Sequence, residues 1–174
     1  MKRKKITIVG FFLVPALSFV AFALASTGTH PLAPRSWSDS DRNCAPVGGT
    51  ILTNFGAISS TTTLGPVTGD LRGAVAASVL GSPQPSGNNV IFHVQHHWVT
   101  DSGDTIFFDE ATAKTLPLSQ TRFAIVEYSS HIKGGTGKFA GATGDLNYLG
   151  AVDLSDGNVL RYLGKVCFAS PDSH

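Results

Sequence analysis

The chain has 174 residues, with thirteen Lys and Arg against twelve Asp and Glu, a formal charge of +1 and only 14% charged positions. Four of the basic residues (Lys2, Arg3, Lys4, Lys5) crowd the start, so the remainder of the chain carries nine basic against twelve acidic residues, a balance of −3. A mildly acidic chain with no basic run has no electrostatic footprint for nucleic acid or anionic lipid, which excludes both as expected partners.

From Ile6 to Leu24 the sequence is uncharged and runs into Ala23-Leu24-Ala25 ahead of a polar stretch, the layout of a secretory signal peptide. The apolar run is long enough to suit an uncleaved anchor as well, but Pro15 and the Ala-x-Ala site favour cleavage before Ser26. Residues 1–25 are therefore read as a signal peptide, and the expected product is secreted or extracytoplasmic, with no membrane attachment after the cut. Residues 26–43, STGTHPLAPRSWSDSDRN, hold two prolines and no apolar period and read as a linker or N-terminal arm. Residues 44–174 are left as one folded domain.

Within that domain no stretch sustains a helical period, while short runs rich in Val, Ile, Phe, Thr and Tyr recur between Gly, Asp, Asn and Pro clusters. Strands are expected at about 49–58, 67–80, 89–100, 104–112, 121–132, 143–153 and 158–168. Asp101-Ser-Gly-Asp104 and Ser155-Asp-Gly-Asn158 supply the residues of tight reversals, so neighbouring strands should pair antiparallel. The segment GSPQPSGN at 81–88 reads as a longer loop that two prolines keep out of a central ladder. The fold class is all-β, and short sequential connections favour a single antiparallel up-and-down β-barrel of about eight strands over a Greek-key sandwich.

The glycine-rich stretch SSHIKGGTGKFAGATGDLNYLG, residues 129–150, invites a test for nucleotide loops. A P-loop ending at Gly137-Lys138 needs glycine at Ile132 and Ser or Thr at Phe139, and a dinucleotide loop needs a helix where Gly141-Ala-Thr-Gly144 stands. The stretch is instead read as a structural turn, in which Gly134, Gly135, Gly137, Gly141 and Gly144 free the backbone and Phe139 packs back as a plug. Cys44 and Cys167 flank the domain, and in an oxidising compartment that arrangement invites a disulfide; two buried free thiols are the alternative.

The pattern Gly-Gly-Thr-Gly-x-Phe-x-Gly-Ala-x-Gly from Gly134 to Gly144 resembles the signature of the allene oxide cyclase barrel family, cousins of the plant dirigent proteins. Shorter similarities lie at Thr53-Asn54-Phe55-Gly56, Thr68-Gly69-Asp70-Leu71 and Tyr162-Leu163-Gly164. The resemblance implies an allene oxide cyclase/dirigent-like eight-stranded barrel with an apolar lumen, frequently trimeric, whose plant members steer a reactive small molecule without a metal or cofactor. Those cyclases carry a glutamate on the first strand near an asparagine. The matching strand here offers Asn54 and no carboxylate, so no catalytic residue is carried across.

Three histidines in FHVQHHW, residues 92–98, suggest a metal, but on a strand His96 and His97 point to opposite faces. His93 and His97 share a face yet lie roughly 13 Å apart, too far for one zinc. No metal and no cofactor are expected. The same parity groups Val90, Phe92, Val94, His96 and Trp98 on the apolar face, so Asn54, Phe92, His96 and Trp98 are the expected ligand-lining residues, with a hydrogen-bonded core histidine as the plainer reading of His96. If Phe123 and Ile125 face inward, simple alternation also brings Glu127 into the lumen as a general acid or base; an exposed Glu127 is the alternative. His96 and Glu127 are thus the two candidate catalytic residues. The expected function is a secreted barrel that binds a small hydrophobic molecule, with cofactor-free isomerase or cyclase chemistry as an option. The rival is a structural or adhesive envelope protein whose barrel is filled.

Overall fold

The computed structural model describes residues 43–170; the expected signal peptide and most of the arm lie outside them. Short turns rich in Gly, Asp and Ser fold the chain back on itself to give nine strands: β1 (Cys44–Ser59), β2 (Thr62–Gly69), β3 (Gly73–Ser86), β4 (Asn89–Thr100), β5 (Thr105–Phe108), β6 (Ala111–Pro117), β7 (Arg122–Gly135), β8 (Thr143–Asp153) and β9 (Gly157–Cys167). All pairings are antiparallel, and β1 meets β9 in an unbroken register from Cys44↔Cys167 to Asn54↔Gly157. Segments β5 and β6 occupy one position between β4 and β7, interrupted at Asp109-Glu110, so nine segments close an eight-stranded up-and-down barrel.

The expected boundaries hold for β4 and β8, whereas β1 already starts at Cys44 and not near 49, β7 runs on to Gly135 and not to 132, and three larger departures follow. The strand expected over 67–80 is two strands, because Asp70-Leu71-Arg72 reverses the chain between β2 and β3. The proline segment expected to be a loop is the end of β3, where Gln84 and Pro85 pair with Ile91 and Val90. Strand β2 stops pairing with β3 at Ser78, so beyond it β3 has an open side on which a proline lacking its N–H is tolerated. The strand expected over 104–112 breaks into β5 and β6, and β6 runs on to Pro117.

Gly134 to Gly144 forms the end of β7, one 3₁₀ turn at Gly137–Phe139 and the start of β8, with no longer helix after the glycines. Phe139 is fully buried, the expected plug. Gly134, Gly137, Gly141 and Gly144 adopt positive φ, whereas Gly135 does not. Gly135 is constrained by space instead, since a Cβ there would strike the Thr105 carbonyl and the Phe139 side chain. Gly137 combines both constraints: φ is +53° and a Cβ would collide with the Asp104 carboxylate. Gly137→Ala is therefore expected to cost about 1–2 kcal/mol, while Lys138→Ala loses only an exposed cation–π contact to Phe139 worth about 0.5 kcal/mol. Thermal melts of the two variants side by side check the order.

Cys44 and Cys167 are bonded, so the disulfide alternative is the one realised, across a separation of 123 residues and at the seam where the first and last strands meet. A structural disulfide points to an oxidising, extracytoplasmic compartment.

Candidate functional site

Alternation along the strands turns one face of each into the barrel, and the side chains stack in layers. The floor is aromatic. Trp98 and Tyr162, both fully buried, meet edge to face with centroids 5.3 Å apart. Trp98 Nε1 donates to the Leu71 carbonyl at 2.9 Å, the Leu71 N–H donates to the Tyr162 hydroxyl at 2.9 Å, and that hydroxyl donates to the Thr68 carbonyl at 3.1 Å. These bonds pin the β2–β3 turn beneath the lumen and give the indole and the phenol of the floor their partners. Trp98 therefore faces inward as expected, but as part of the plug and not of the cavity wall.

Above the floor lies a layer of buried rings. The Tyr128 hydroxyl and His96 Nε2 are 2.6 Å apart, and Tyr148 bonds Ser130 Oγ at 2.7 Å. The His96 ring stacks on Tyr148 at 5.4 Å and on Tyr128 at 5.7 Å. Burial, with a smaller contribution from neighbouring His97, lowers the His96 pKa to about 4. The same loss of solvent raises Tyr128 and Tyr148 well above the usual phenol range. All three side chains are thus neutral at physiological pH.

Neutrality fixes the direction of the short bond. If His96 Nε2–H donated to Tyr128, the phenol proton would be left without an acceptor and His96 Nδ1 without a donor; if Tyr128 donates, only Nδ1–H is unmatched. The second arrangement makes better use of the groups present. His96 Nδ1 is buried with no partner among the described residues, and so are Thr53 Oγ1 and Asn158 Oδ1. Thr53 and Asn158 face each other across the β1–β9 ladder, and the Asn158 amide reaches Thr63 Oγ1 at 3.5 Å.

The three unmatched atoms belong to side chains that line a single cavity of about 40 Å³. Its walls are otherwise mostly apolar, including Ile51, Val75, Ala77, Phe92 and Ala113, with Thr63, Thr115, Tyr128 and Tyr148 as the further polar side chains, and its lining contains no Asp, Glu, Lys or Arg among the described residues. Partly exposed Phe55, Val79, Val152 and Leu154 form the mouth. Room for about two or three waters separates this lumen from a solidly packed barrel, but a drug-sized ligand occupies roughly 300 Å³ or more. What fits is narrow.

Phe92 and His96 line the cavity, as alternation along β4 requires. Asn54 does not: it is exposed on the outer face, and Thr53 takes the inward position one residue earlier. Glu127 is exposed as well. Phe123 and Ile125 do turn inward, but one extra residue interrupts the ladder, since Thr115 pairs with Ile125 and Lys114 with Glu127, skipping Val126. This bulge sets both Val126 and Glu127 outside and swings Tyr128 in, so the lumen receives a phenol where unbroken alternation would have placed a carboxylate. Glu127 and His96 are not brought together. His93 pairs with Glu110 on the outer wall at 2.9 Å and His97 is exposed, on the face opposite His96.

Sequence reasoning missed Thr53, Tyr128, Ser130, Tyr148 and Asn158. The inward positions of Thr53 and Asn158 were readable from their alternation with Ile51 and Leu160. Tyr128 and Ser130 were not, because the bulge reverses parity just before them.

The fold and the site together define a closed antiparallel β-barrel with a neutral, mostly apolar lumen. No protein-family model matches the chain, and no curated protein or solved structure matches it.

Proposed function

We propose that this protein is an extracytoplasmic binding barrel that takes the narrow end of a small, largely apolar molecule into its lumen. The observation that carries the reading is the convergence of three buried, unmatched polar atoms, on His96, Thr53 and Asn158, around one apolar cavity. Left with no partner at all, such groups cost about 1–3 kcal/mol each, a cost that water or a bound polar group in the cavity relieves. The Cys44–Cys167 bridge supports the compartment, and the sequence from Met1 to Ala25 supports export by a cleaved signal. The resemblance of Gly134–Gly144 to the allene oxide cyclase family keeps cofactor-free isomerase chemistry within this proposal. Among the described residues the lumen offers no carboxylate for it, so any such activity would rest on shape and on the Tyr128–His96 pair.

Native mass spectrometry of the protein purified from its own host is the direct test. One small molecule per barrel, lost on unfolding, is the expected result. An Ala113→Leu variant, which extends a side chain into the cavity, should carry none. A bare wild-type mass, together with no thermal stabilisation by any added apolar probe, would overturn the reading in favour of a filled structural barrel.

A further inference from the structure

The unmatched atoms say what kind of polar group the lumen accepts, an inference that rests on the binding reading above. His96 Nδ1–H, with the tautomer set by the Tyr128 bond, is a buried donor lacking an acceptor. Asn158 Oδ1 is an acceptor lacking a donor, and Thr53 Oγ1 can serve either way. None of them carries charge, and no charged side chain lines the cavity among the described residues. Toward the mouth, the cation Arg122 is exposed and stands in register with the anion Asp153, and neither lines the cavity. An ionised carboxylate drawn into this space would lose its water and gain only neutral hydrogen bonds, which is strongly unfavourable. A hydroxyl or carbonyl oxygen meets no such penalty.

We propose that the lumen selects an uncharged molecule bearing a hydroxyl or carbonyl oxygen on a slim apolar body, and rejects a carboxylate of the same shape. The oxygen accepts from His96 Nδ1–H or Thr53 Oγ1. A hydroxyl can in addition donate to Asn158 Oδ1, which ranks alcohols above ketones. The apolar body lies beyond these groups along Val94, its ladder partner Val79 and Phe92, toward the mouth.

Four probes of matched length separate the contributions: heptanol, methyl pentyl ketone, heptane and heptanoate, each titrated calorimetrically into the full-length protein near neutral pH. The expected order is heptanol, then the ketone about tenfold or more tighter than heptane, as one matched buried hydrogen bond provides, with heptanoate undetectable. Thr53→Val and Asn158→Leu should bring heptanol toward heptane without weakening heptane. Nitrogen NMR of the imidazole should show a protonated Nδ1 whose resonance moves when heptanol or the ketone binds. If heptane binds as tightly as the alcohol and ketone, the polar selection is wrong while lumen binding stands. If heptanoate binds tightest, the selection is again overturned, because a cation must then reach the ligand. If none of the four binds, the binding reading itself falls and this inference with it. The wild-type series alone decides among these outcomes, so a variant that fails to fold does not protect the proposal.

Discussion

Replacing Cys44 and Cys167 together by alanine is expected to lower the unfolding free energy by about 3–5 kcal/mol, the largest change available from a single link in this fold. The bridge joins residues 123 positions apart, so its removal releases nearly the whole described chain to the unfolded ensemble. The native barrel has little reason to open, because β1 and β9 remain paired along their full register without the bond. The loss should therefore appear in the midpoint of chemical denaturation, with the barrel's circular dichroism unchanged before the transition. A loss below about 1 kcal/mol would show that the unfolded chain keeps residual contacts that restrain it as effectively as the bond does.

Acidification should produce the second largest effect. His96 is held neutral in the fold with a pKa of about 4, against an ordinary value of 6.5 that it regains on unfolding. Between those values the unfolded chain binds a proton that the folded chain refuses, so stability falls as pH drops through the window. The contribution is intact above pH 6.5, and roughly 3 kcal/mol of it is gone by about pH 4, below which both states are protonated. His96→Gln keeps a polar group beside Tyr128 but cannot titrate. Its denaturation midpoint should fall less steeply than that of the wild type between pH 6.5 and 4, and the difference between the two curves isolates His96 from the exposed histidines. Parallel curves would mean that His96 gains its proton without leaving the lumen.

How far the sequence carries the reader depends on whether a feature is local. Turn chemistry at Asp101–Asp104, strict alternation along β4 and the plugging role of Phe139 are properties of a few adjacent residues, and each was legible. The split at Leu71 was not, because this residue makes a turn by anchoring to Trp98 and Tyr162, which are remote in the chain. Pro83 and Pro85 mislead for a similar reason: whether a proline can enter a strand depends on whether a neighbour needs its N–H, and that is decided by where β2 ends. The site suffered most from one extra residue. A bulge at Val126 exchanges Glu127 for Tyr128 inside the lumen, and with that exchange the interior changes from one holding a carboxylate to one lined, among the described residues, by neutral groups. Asn54 stands out in the sequence only through a short resemblance, although parity with Ile51 already points to Thr53.

Closure of the barrel by its first and last strands also governs the order in which the molecule can be made. Strand β1 has β2 beside it early, but its other neighbour is β9, the last of the described strands. A ribosome or export channel that delivers the chain from its beginning therefore presents β1 with one unpaired edge until β9 emerges, and no subset of strands can complete the cylinder. Pairing across so long a stretch of sequence is entropically slow to establish. The open sheet is exposed to strand addition by other chains until β9 arrives. The finished barrel leaves β1 no such edge along this seam, so its window of vulnerability is confined to biogenesis, and truncation within β9 would make that window permanent.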